Sequence, residues 1–159
     1  MTHASLVRAL LTPAALVALA GPCAAQLSNF SGYWVLNRDE SSWGQVRKPL
    51  MMFVEIEHKE PTFNYHGSIT YADETTREFA FLGAIDGKEY PVERSYGPGR
   101  IVYTRVDART IRSTYRSLDG QYSETTVTSV SRDGRRMTRK INLTIPGGSR
   151  AWTETYDKR

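Results

Sequence analysis

The sequence has little of what reactive and metal-binding centres are commonly built from: one cysteine, Cys23, and three histidines in 159 residues. No serine sits in a Gly-x-Ser-x-Gly elbow, so the nucleophile of a hydrolase has no obvious seat. No window shows a sustained 3.6-residue apolar period, which argues against a helical core. Charge of one sign is not concentrated either. The 21 Lys and Arg are interleaved with 17 Asp and Glu, for a net charge of +4. The tightest basic cluster, Arg132, Arg135, Arg136, Arg139 and Lys140, falls on a predicted hairpin. Nucleic-acid binding needs a focused patch facing phosphates, and none is found, so no nucleic-acid partner is expected.

A long apolar run is also missing. The apolar stretch ALLTPAALVALAG near the N-terminus is interrupted by Pro13 and is shorter than the roughly 20 apolar residues a spanning helix needs. It follows Arg8 and precedes the small residues Cys23-Ala24-Ala25, the pattern of a secretory signal peptide. Cleavage after Ala25 is expected, leaving a single domain at 26–159 that is secreted or periplasmic, with no integral membrane insertion. Pro22 directly before Cys23 argues against lipid anchoring at that cysteine. The processed chain then has no thiol and no disulfide, so its stability must come from burial and hydrogen bonding.

From Phe30 onward, short runs rich in Tyr, Val, Ile, Thr and Phe alternate with turn residues. Asp86-Gly87, Asp119-Gly120 and Asp133-Gly134 are the strongest turn signals, each read as a two-residue type I′ hairpin. Cutting at the turns gives about ten strands: near 31–37, 50–58, 62–71, 76–83, 88–94, 100–106, 110–118, 121–131, 135–145 and 149–158. Consecutive hairpins of this length form a meander. An all-β up-and-down barrel of about 8 to 10 strands, its first and last strands paired, leaves no edge exposed; a sandwich is the alternative. The polar segment 38–49, with Trp43, interrupts the rhythm and is expected to hold at most one short helical turn at a barrel end.

The two-residue period of a strand assigns faces. Met137, Arg139, Ile141, Leu143 and Ile145 share an inward face, as do Met52, Val54, Ile56 and His58; Phe63, Tyr65, Gly67, Ile69 and Tyr71; Ile101, Tyr103 and Arg105; and Trp152, Glu154 and Tyr156. Strand 121–131 is nearly all Ser, Thr and Glu, and so fronts either a wet cavity or solvent. An inward charge needs a partner or water. Arg139 and Glu154, on neighbouring strands, are therefore either a structural ion pair or the polar end of a pocket. His58 and His66 fall on different faces, so no shared metal site is expected and no cofactor is implied. The sequons at Asn29 and Asn142 are read as chance matches.

These residues resemble the calycins, the superfamily of lipocalins and fatty-acid-binding proteins, and more closely the small secreted bacterial lipocalin-like barrels. FSGYWVLN, with Gly32 and Trp34, is similar to the calycin Gly-x-Trp first strand, whose Trp plugs one barrel end. WTETYDKR is similar to the last strand of fatty-acid-binding proteins, and AIDGKEYPV and SRDGRRMT look like hairpins of bacterial relatives. The resemblance implies a barrel that binds a small apolar or amphipathic molecule. Its departure is informative: Glu154 stands where those proteins place the Arg that holds a carboxylate, while Tyr156 is kept. The expected ligand-binding set is Arg139, Glu154, Tyr156, Arg105, Tyr103, Tyr65, Met52 and Ile141, with Trp34 as plug. Two further readings are carried: a structural or protein-interaction barrel with a filled core, and an isomerase or cyclase using Glu154 and Tyr156.

Overall fold

Ten antiparallel strands follow one another in a computed structural model that describes residues 27–159: β1 (Gly32–Leu36), β2 (Met51–Lys59), β3 (Thr62–Thr70), β4 (Thr76–Ala84), β5 (Glu89–Arg94), β6 (Gly97–Asp107), β7 (Thr110–Ser117), β8 (Ser123–Val130), β9 (Arg136–Ile145) and β10 (Gly148–Lys158). The expected signal segment and Cys23 lie outside the described residues. Each strand pairs with its neighbours in sequence, and β1 closes onto β10 through Trp34 with Lys158, Val35 with Asp157 and Leu36 with Tyr156. The predicted pairing of first and last strands is therefore present, and the architecture is an all-β up-and-down barrel rather than a sandwich.

Closure is incomplete at one seam. β4 and β5 stand at opposite ends of the strand order and abut without a hydrogen-bonded ladder. β5 has only six residues and carries Pro91, which has no N–H to give, while the β4 edge carries Arg77 and Glu78. Short length, proline and charge are the features that let a strand serve as an edge without recruiting another chain.

Alternation holds along the strands as the period of two requires. β2 buries Met52, Val54, Ile56 and His58, and β8 buries Glu124, Thr126, Thr128 and Val130. The Asp-Gly turns depart from expectation. Only the glycine takes positive φ at each, 77° at Gly87, 72° at Gly120 and 69° at Gly134, and the Asp before it does not. Ser117-Leu-Asp-Gly and Ser131-Arg-Asp-Gly instead close by a bond from the Gly N–H to the Ser carbonyl, with the Ser hydroxyl donating to the Asp carboxylate. This is a longer loop built on a type I-like turn and ended by a left-handed glycine, as wider hairpins prefer.

Segment 38–50 forms a strap with a single turn, Val46 N–H to Trp43 carbonyl, and no helix. Ser42 tethers it to β10 through paired backbone bonds with Thr153.

At the opposite end the N-terminal segment folds under the barrel. The Phe30 N–H donates to His58 Nδ1 at 3.1 Å, and Trp34 Nε1 donates to the Phe30 carbonyl at 2.9 Å. Phe30 and Trp34 are fully buried there.

Candidate functional site

The inward faces leave a cavity of about 790 Å³ rather than a filled core. Its lining reaches Tyr71 and Arg77 beside the β3–β4 turn, Ser95 and Tyr96 at the β5–β6 turn, Arg150 and Trp152 near the β9–β10 turn, and Trp43 and Arg47 of the strap. No residue of the turns at the other end contributes. The cavity therefore has its mouth under the strap and its floor above Phe30 and Trp34. Met52, Val54, Ile56, Phe63, Ile69 and Phe79 make one apolar wall from β2, β3 and β4. Phe63, Tyr65, Phe81 and Tyr103 pack ring to ring at 4.9–5.9 Å, and the Tyr103 hydroxyl donates to that of Tyr65 at 3.2 Å. Burial pushes the Tyr103 hydroxyl well above its usual range, so that group stays a neutral donor.

Two Arg–Glu pairs interrupt the apolar lining, at different depths. Arg139 and Glu154 face each other across β9 and β10, six residues from the turn that joins those strands. Arg139 Nη1 lies 2.9 Å from Glu154 Oε2; the Tyr156 hydroxyl donates to the same oxygen at 2.8 Å, and Trp152 Nε1 donates to Oε1 at 2.9 Å. Burial alone would lower the Arg139 pKa, but Glu154, Tyr156, Tyr103 and Tyr65 together outweigh it and hold the guanidinium above its ordinary range. Both oxygens of Glu154 are thereby engaged, and Arg139 Nη1, Tyr156 and Trp152 each have a partner.

The second pair sits nearer the mouth, with Arg94 as the last residue of β5 and Glu124 at the start of β8. Arg94 Nη2 is 3.9 Å from Glu124 Oε1, too far for a hydrogen bond. The Glu124 oxygens are already taken, one by the Tyr96 hydroxyl and the other by the Thr126 hydroxyl. Arg94 Nε and Nη2 are buried and have no hydrogen-bond partner, although the side chain is only 14% exposed. Burial lowers the Arg94 pKa and the surrounding Tyr65, Glu124, Tyr103 and Tyr96 more than restore it, so the group stays charged.

Of the residues expected from the sequence, Arg139, Glu154, Tyr103, Tyr65, Met52 and Ile141 line the cavity together. Tyr156 does not. It is fully buried behind Glu154, its hydroxyl also 3.2 Å from Met52 Sδ. Arg105 is a correction. Although on the inward period of β6, it lies past the floor, where a β-bulge disturbs the strand; it pairs with Glu60 and covers the Phe30 ring at 5.6 Å. His58, on the inward face of β2 as expected, is buried against Phe30 and Phe63. His66 is exposed beside Glu55, so the two histidines do not converge. Arg94 and Glu124 were not singled out, and Trp43 was placed at a barrel end without being assigned to the ligand-binding set. Applying period two to EYPVER would have placed Arg94 with Tyr90 and Val92, and applying it to SETTVTSV would have placed Glu124 with Val130.

Solved structures share this architecture. A Schistosoma mansoni fatty acid binding protein in complex with arachidonic acid aligns over 84% of this chain and 98% of its own, with TM-score 0.60 and 15% identity. A zebrafish ileal bile acid-binding protein complexed with cholic acid aligns over 82% and 98%, with TM-score 0.55 and 14% identity. As-p18, an extracellular fatty acid binding protein, aligns over 82% and 96%, with TM-score 0.55 and 13% identity.

The fold is that of these fatty-acid- and bile-acid-binding barrels.

No protein-family model and no curated protein sequence matches this chain. Against the calycin pattern, Gly32 and Trp34 occupy β1 as expected, and Glu154 occupies the wall position that the resemblance assigns to an arginine.

Proposed function

We propose that this calycin barrel carries a small, largely apolar molecule in its interior after export from the cell. The observation that carries the reading is the cavity of about 790 Å³, within the usual range for small-molecule pockets, with its apolar wall from β2 to β4. The neighbours that bind fatty acids and bile acids in barrels of this shape support it. Met52, Ile141, Tyr65 and Tyr103 are assigned to contact the molecule. The filled-core alternative has no support from an interior of this volume. The enzyme alternative has none from a Glu154 whose two oxygens are engaged and a Tyr156 screened from the cavity.

Two measurements test the proposal. Delipidated chain titrated with the neutral dye N-phenyl-1-naphthylamine is expected to bind it at one site and release it to hexadecanol; no saturable binding would remove the carrier reading. Native mass spectrometry of protein from its own host is expected to show a co-purifying small molecule. For export, N-terminal sequencing of the processed protein is expected to begin at Gln26, and an intact Met1 on the mature protein would contradict it.

A further inference from the structure

The polar groups of the cavity are not balanced between donors and acceptors. Three buried atoms of its lining have no hydrogen-bond partner: Nε and Nη2 of Arg94 and Nε1 of Trp43. All three are N–H donors. The carboxylates of Glu124 and Glu154 are each held at both oxygens, and the Tyr65 hydroxyl already accepts from Tyr103. A buried donor without an acceptor costs about 1–3 kcal/mol, more if charged, so such groups in a native cavity call for a missing partner. Here the partner has to be an acceptor.

Resting on the carrier reading above, we propose that Arg94 is the head-group anchor of the cavity and that the molecule it takes is an amphiphile with an oxyanion head. The head lies on the mouth side, on the guanidinium at the end of β5, and the apolar tail runs along Met52, Val54, Ile56 and Phe63. The deeper Arg139–Glu154–Tyr156 network does not receive it. That network has its own carboxylate in Glu154, bonded to the same donors a ligand would need. A second anion there would lose those bonds and meet the Glu154 charge. At Arg94 the nearby carboxylate, Glu124, is engaged by Tyr96 and Thr126 and, at 3.9 Å, leaves the buried Nε and Nη2 without an acceptor. Charge-assisted bonds to a guanidinium are among the stronger polar contacts available, and two donors on one planar edge suit the two oxygens of a carboxylate.

The test compares three probes of one chain length on delipidated protein by calorimetry: hexadecanoate, hexadecanol and hexadecyltrimethylammonium. Wild type is expected to bind the carboxylate more tightly than the alcohol, and the cation most weakly. Arg94→Met is expected to raise the Kd for hexadecanoate roughly 10- to 100-fold while leaving hexadecanol nearly unchanged, the scale of a hydrogen bond to a charged group. Arg94→Lys, which keeps charge without the planar edge, is expected to fall between them, and thermal melts confirm that both variants fold. If the carboxylate preference survives Arg94→Met and disappears in Arg139→Met, the head lies in the deeper network and the inference is wrong. Equal wild-type binding of carboxylate and alcohol overturns the oxyanion assignment while leaving the carrier reading intact. Failure of all three probes to bind removes both.

Discussion

The two Arg–Glu pairs of the interior have the same composition and opposite states. Arg139 and Glu154 meet at 2.9 Å with Tyr156 and Trp152 completing the carboxylate, whereas Arg94 and Glu124 stand 3.9 Å apart with the guanidinium edge unused. A buried ion pair stabilises a fold only when geometry and extra hydrogen bonds offset the loss of water. The first pair meets that condition and braces β9 to β10. The second does not, and its residual donors are a capacity for binding. Buried charge is therefore a poor marker of a site by itself; buried charge left over after the protein has matched its own groups is a better one.

The largest effect expected from this contrast comes from breaking the matched pair. Glu154→Ala strands a buried Arg139 and the Tyr156 and Trp152 donors, and should cost about 3–5 kcal/mol in urea unfolding. Arg94→Met should cost less than half as much, because Glu124 keeps both hydroxyl partners and Arg94 gives up donors that were unmatched. A double-mutant cycle should sharpen this, giving a coupling of about 2 kcal/mol or more for Arg139 with Glu154 and less than about 1 kcal/mol for Arg94 with Glu124. Equal couplings would erase the distinction.

A smaller effect belongs to the floor. His58 accepts the Phe30 N–H at Nδ1 while its Nε2 faces Glu60 Oε1 at 3.2 Å. Burial first, and then the charge of Arg105, lower its pKa below the ordinary 6.5. The unfolded chain then binds this proton more readily than the folded one. The contribution to stability is complete above about pH 6.5 and is lost as pH falls through the lowered folded value. Unfolding midpoints measured between pH 8 and 5 should therefore fall further for wild type than for His58→Gln. Identical pH profiles would show that the floor histidine is not held neutral.

The smallest effect is expected at the surface. Arg47 reaches from the strap to Asp73 at 2.6 Å and covers the Tyr71 ring at 4.2 Å, but both charges are half exposed. Arg47→Ala should cost less than about 1 kcal/mol, because solvent screens such pairs.

Much of the fold was legible because alternation and turn residues are local signals. The strands of MTRKINLTI and MMFVEIEHK declare their buried faces, and FSGYWVLN and WTETYDKR mark the two strands that close the ring. The seam between β4 and β5 was not legible as an opening, since Pro91 and the charges of β4 say only that an edge is tolerated there. At the site, Arg139 and Glu154 were found because they fall opposite each other on sequential strands. Whether a pair is matched depends on contacts that no strand period states: Tyr96, in the turn after β5, and Thr126, two residues along β8, occupy Glu124 and leave Arg94 unmatched. Arg105 shows the converse limit, since its inward period was correct but its height along the barrel, past the floor, was not encoded in any local pattern.

The most direct test of the contrast between the two pairs is a crystal structure of the barrel with hexadecanoate bound. The expected result is a carboxylate oxygen within about 3.2 Å of the Arg94 guanidinium, an ordinary hydrogen-bond length, with Arg139 still on Glu154 and the chain against the β2–β4 wall. A carboxylate seated on Arg139 with Glu154 displaced would contradict it.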